Sequence, residues 1–151
     1  ASSFQTSTNA VKVNMMNFDA AADEFVQFAV QMPKSWDAGV LSAQFLWSHP
    51  ATTVNFGVRF FIQALSLADG DAIDTAFGTA VGPDADTGGT TDNIYITDVS
   101  PDITVSNTPA KSDMVYFQIY RDVSDAGDTM AVDARLLGVS IFYTTDKSTD
   151  N

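Results

Sequence analysis

Large apolar side chains recur at every second position along three long stretches of the chain, a spacing that only extended strands bury on one side. Val26, Phe28, Val30 and Met32 make the first row, with Gln27, Ala29 and Gln31 between them, and Pro33 stops it. Leu41, Ala43, Phe45 and Trp47 make the second, following the turn Trp36-Asp37-Ala38-Gly39 and broken by His49-Pro50. Val54, Phe56, Val58, Phe60 and Ile62 make the third, opposed by Asn55, Arg59 and Gln63. Three such strands in succession predict antiparallel sheet with one buried and one wet face. Shorter strands are predicted over 11–16, 94–99 and 103–105. Two longer ones are predicted over 114–121, with Val115, Phe117 and Ile119 inward, and over 135–143, with Leu137, Val139 and Ile141 inward.

Between these runs the alternation fails in two places. In the segment 69–78, Asp71 is placed to cap a short helix with Ile73 and Phe77 on its buried side and Gly78 at its end. Residues 82–93 are rich in Gly, Asp and Thr and read as loop. Residues 1–10 are small and polar apart from Phe4 and predict a flexible N-terminal arm. The β-sandwich is assigned to 11–143, and 144–151 is a polar C-terminal tail. The expected fold is all-β: an antiparallel β-sandwich, first a jelly roll and second an immunoglobulin-like sandwich, with one short helix in a crossover. At 151 residues and without cysteine, the chain is long enough to hold one core with no disulfide or metal staple.

Charge and residue inventory narrow the chemistry. Nineteen acidic residues against seven basic ones give a net charge of −12, which disfavours nucleic acid and anionic membrane surfaces as partners. The N-terminus lacks the basic and apolar regions of a secretory leader. His49 is the one histidine, sits beside Pro50 and reads as an exposed loop residue. Asp122, Asp125, Asp128 and Asp133 are close in sequence, but their spacing matches no calcium loop, so they read as solvated turn residues. The same holds for Asp84, Asp86 and Asp92. Glu24, the one glutamate, stands at a strand start with no partner marked for glycoside chemistry. No metal, cofactor or catalytic constellation is expected, and the chain reads as non-enzymatic.

The residues opposite the apolar rows are mostly Gln, Ser, Thr, Asn and Ala, joined by Phe25, Phe61, Leu65, Tyr116, Tyr120 and Phe142. A face so weakly charged suits burial against another subunit, and a homotrimer is the expected state. Arg59, Arg121 and Arg135 lie in or beside strands and are expected to pair with aspartates. The candidate partner- or subunit-contact residues are Phe4, Trp36, Arg59, Phe61, Tyr116 and Tyr120.

Four segments carry a resemblance: Phe28-Ala-Val-Gln-Met-Pro-Lys-Ser-Trp-Asp37, Asp71-Ala-Ile-Asp-Thr-Ala-Phe-Gly-Thr-Ala80, Val115-Tyr-Phe-Gln-Ile-Tyr-Arg-Asp-Val-Ser124 and Asp133-Ala-Arg-Leu-Leu-Gly-Val-Ser-Ile-Phe-Tyr-Thr-Thr-Asp146. In that order, over roughly residues 20–147, the chain resembles small structural proteins of tailed-phage and prophage gene clusters. The resemblance implies a virion surface protein that decorates or cements the capsid, with the major capsid protein or other virion proteins as partners. The alternative is a fibre-tip module that binds a receptor or a glycan. No catalytic residues come with it.

Overall fold

The computed structural model describes residues 1–50 and 56–149. Eleven strands follow one another: β1 Ser2–Gln5, β2 Lys12–Phe18, β3 Phe25–Gln31, β4 Trp36–Ser48, β5 Phe56–Val58, β6 Phe60–Leu67, β7 Asp86–Gly88, β8 Tyr95–Ile96, β9 Val105–Ser106, β10 Met114–Arg121 and β11 Ala134–Thr145. A five-stranded sheet has the order β1-β2-β11-β4-β8, a four-stranded sheet β3-β10-β6-β9, and β5 pairs with β7 in a small ribbon. All named pairings are antiparallel except β6 with β9. The fold is an all-β sandwich.

The alternating rows supply its filling. Leu41, Ala43, Phe45 and Trp47 of β4 meet Phe60, Ile62, Val115, Phe117 and Ile119 of the opposite sheet in one core. Phe60 sits at its centre, stacked on Phe45 at 5.3 Å and edge-on to Phe18 at 5.9 Å. Aromatic pairs of this geometry add about 0.5–1.5 kcal/mol each beyond their buried area. Gly82 lets residues 81–82 lie against β6, because a Cβ there would stand 2.1 Å from the Phe60 carbonyl oxygen. Next to it, Val81 and Ile62 exchange backbone hydrogen bonds of 2.8 and 2.9 Å.

Several expectations from the sequence are corrected. The three apolar rows are not neighbours: β3 pairs with β10, β4 with β11, and β6 with the other side of β10. The third row is cut at Arg59, whose N–H donates to Asp128 Oδ2 at 3.0 Å while its carbonyl accepts the Asp122 N–H. That leaves β5 to the ribbon and β6 to the four-stranded sheet; Val54 and Asn55 lie outside the described residues. In β11 the pairing with β4 slips between Leu136 and Gly138, so Leu137 is an extra residue and the phase reverses. Ala134 and Leu136 are therefore inward, while Leu137 faces outward, and beyond the bulge Val139 and Ile141 return to the core.

No helix is present at 69–78 or elsewhere among the described residues. Ile73 is 87% exposed there. Asp71 caps a turn instead, accepting the Ala68 N–H, and Gly78 donates to the Ala64 carbonyl of β6. Two apolar residues four apart cannot offset the cost of nucleating so short a helix when sheet carbonyls lie within reach. Within 1–10, Ser2–Gln5 is not a free arm but the outermost strand of its sheet, with Phe4 opposite Val13. β11 runs on to Thr145, inside the expected tail, and Asp146 N–H donates to the Ser35 carbonyl.

Candidate interaction surface

The wet side of the four-stranded sheet is organised by register. Phe25, Tyr120 and Phe61 stand directly opposite one another across β3, β10 and β6. Tyr120 stacks on Phe61 at 5.5 Å and 15°, and Phe25 lies 5.1 Å from Tyr120 at 39°. The Arg59 guanidinium caps the far end, 5.1 Å from the Phe61 centroid. Its Nε donates to Asp125 Oδ2 at 3.3 Å, Asp84 is 3.6 Å away, and a further N–H donates to the Pro83 carbonyl. The row is thus four planar groups wide. The next row is Gln27, Gln118 and Gln63, in which the Gln63 amide donates to the Gln118 side-chain oxygen. Ala29, Tyr116 and Leu65 follow, of which Leu65 is buried, then Gln31, Met114 and Leu67. Arg59 apart, none of these positions is charged, in a chain of net charge −12.

The structure brings Arg59, Phe61 and Tyr120 into one row and places Tyr116 two rows away on the same face. Phe25, 57% exposed, is the most open ring of the row and was missing from the sequence-derived contact set. Its signal was the phase of β3 alone, since odd residues face outward there. Phe4 lies on the other sheet, its ring 4.9 Å from the Arg135 guanidinium. It borders an outward groove of about 200 Å³ with Val13, Met15 and Leu137, where Arg135 pairs with Asp92 at 2.5 Å. Trp36 is fully buried and cannot contact a partner. His49, expected in an exposed loop, is also fully buried, edge-on to Phe56 at 4.7 Å and stacked on Tyr95 at 5.5 Å.

The acidic loops have structural roles. Asp128 grips the fully buried Arg121 through two oxygens, at 2.8 and 2.7 Å. Asp122 accepts the Ser124 and Asp125 N–H groups, and Asp86 accepts the Trp47 indole N–H at 2.7 Å. Glu24 closes a turn by accepting the Asp19 N–H at 2.8 Å. Among the described residues no three His, Cys, Asp or Glu side chains are grouped to hold a metal ion. Arg59, Arg121 and Arg135 all pair with aspartates.

Tyr120 is held above the usual tyrosine range, first by burial and then by the charges of Asp122 and Asp23. Its phenolate should therefore form above pH ~10. Ultraviolet titration of the wild type against Tyr120→Phe isolates that phenol. Asp122→Asn should lower its midpoint part of the way, because the charge goes and the burial stays. A midpoint at the ordinary tyrosine value would place the ring in open solvent.

No protein-family model matches the chain, and no curated protein shows a significant match to it.

Proposed function

We propose that the chain is a non-enzymatic structural protein of a bacteriophage virion that decorates or cements the capsid surface. The observation that carries this is the uncharged, ring-lined face of β3, β10 and β6 on a strongly acidic molecule. The net charge opposes non-specific association, so a partner docks at least electrostatic cost on an uncharged face. The resemblance to tailed-phage structural proteins supplies the setting, a virion surface. A jelly roll is the finer fold reading. Taking β2, β3, β4, β6, the Val81 bridge, β8, β10 and β11 as eight successive strands, β2-β11-β4-β8 faces β3-β10-β6 and Val81, which supports that reading.

The second reading is a fibre-tip glycan-binding module. It is favoured by the rings of Phe25, Tyr120 and Phe61 beside a row of three side-chain amides, since sugars take both stacking and amide hydrogen bonds. Co-sedimentation with particles stripped of the protein separates the two. Saturable binding, weakened about tenfold or more by Phe25→Ser with Phe61→Ser, is expected for a capsid protein. A glycan-array signal with no particle binding selects the second reading.

A further inference from the structure

The outer edge of β3 is unusual for an exposed strand. Among the described residues nothing pairs with it. Met32 N–H donates to the Asp113 carbonyl at 2.9 Å, and Met32 stands opposite Asp113 in the same register as β3 and β10. By alternation Val26, Phe28 and Val30 also bond to β10. Phe25, Gln27, Ala29 and Gln31 therefore aim their N–H and C=O groups away from the sheet. Soluble proteins blunt such edges with charge, proline or a bulge. The seven residues Phe25-Val-Gln-Phe-Ala-Val-Gln31 contain no charge and no proline, and their pairing with β10 has no register shift.

The inner side of the same edge is unfinished. Phe28 stacks on Phe117 at 5.0 Å yet is only half-buried, and Val30 is 40% exposed. Beside it, Val30, Met32, Pro33, Phe117, Ile141 and Tyr143 line a cleft of about 300 Å³ between the two sheets.

We propose that β3 pairs with β3 of a second copy, antiparallel about a two-fold axis at Phe28, joining the two four-stranded sheets into one. This register uses every outward-pointing residue: Phe25 bonds with Gln31 and Gln27 with Ala29, in both directions. On the inner side it sets Phe28 against Phe28 and Val26 against Val30, covering the apolar row the single copy leaves open. The ends of the strand identify a second copy as the occupant. Asp23 and Glu24 precede it, and exposed Lys34 follows it with no ion pair among the described residues. Antiparallel self-pairing brings each acidic end alongside the other copy's Lys34, twice per dimer. A parallel arrangement would stack like charges. Pairing of this edge needs only the free protein and no virion.

Sedimentation equilibrium of the full chain over a wide concentration range tests it. The wild type should show a dimer at twice 16.2 kDa. Ala29→Pro removes an outward N–H and spares the β10 ladder, as proline is tolerated on strand edges. It should weaken association about a hundredfold, with the thermal midpoint of the monomer preserved. Lys34→Glu should weaken it about fivefold, and Glu24→Lys in the same chain should restore it. If Ala29→Pro fails to fold, Gln27→Lys with Ala29→Lys gives the same test, since lysines then oppose lysines across the axis. A wild type that stays monomeric throughout overturns the proposal. So does a trimer, or a dimer indifferent to these edge substitutions.

Discussion

Replacing Arg121 with methionine should destabilise the protein by about 3–5 kcal/mol, a fall in melting temperature on the order of 10 °C for a chain of this size. Arg121 is fully buried and its guanidinium is satisfied on every side. Two N–H groups grip Asp128; others reach the carbonyls of Val132 at 2.8 Å, Met130, and, more weakly, Phe18 and Asp19. One side chain therefore ties the end of β10 to the end of β2 and to the whole 122–133 loop. Methionine fills much of the volume but leaves the Asp128 carboxylate buried, 2% exposed, without its cation. That unpaired charge is the larger part of the loss. Asp128→Leu together with Arg121→Met should accordingly cost less than the two single changes added together, as chemical denaturation of the four proteins will report. Additive losses would mean that the pair contributes nothing beyond its separate contacts.

Trp36→Ala should cost about 3–5 kcal/mol in the same assay, the range for emptying a large buried aromatic site. Trp36 opens β4, pairs with Thr145 at the end of β11 and is entirely covered. Its indole N–H has no hydrogen-bond partner among the described residues. Trp36→Phe should therefore be far milder, under about 2 kcal/mol, because it keeps a ring in the site and removes a buried donor. A loss below about 1 kcal/mol for alanine would return Trp36 to the surface role its turn-like sequence suggested.

The surface of β3, β10 and β6 was partly legible in the chain. Phe61, Tyr116 and Tyr120 are readable as outward because they fall between inward residues, and Arg59 was marked as one of few cations. That Arg59, Phe61, Tyr120 and Phe25 form one continuous row was not legible. It depends on the register of β3 and β6 against β10, which is set between segments tens of residues apart. Trp36 and His49 were misread for a related reason. A residue beside a turn or a proline has a local signature of exposure, but whether another segment covers it is a tertiary matter.

By itself the sequence determined that this chain is built of strands, where the long ones run, and which side of most of them is buried. Met114–Arg121 is a strand at the bounds its alternation predicts, with Val115, Phe117 and Ile119 inside. Such alternation is local, because every side chain in a strand faces opposite to its neighbour whatever the partner is. Only the tertiary structure decided that β3 and β4 lie in different sheets, that Leu137 is a bulge, and that the third row breaks at Arg59. It also decided that 69–78 follows the sheet edge instead of coiling. Each of these turns on hydrogen bonds and packing with distant segments: the β4 register for Leu137, the Asp128 carboxylate for Arg59, the Ala64 carbonyl for Gly78. Pattern in a strand fixes which face is apolar, while the choice of neighbour belongs to whichever pairing closes the core with the fewest unmet backbone groups.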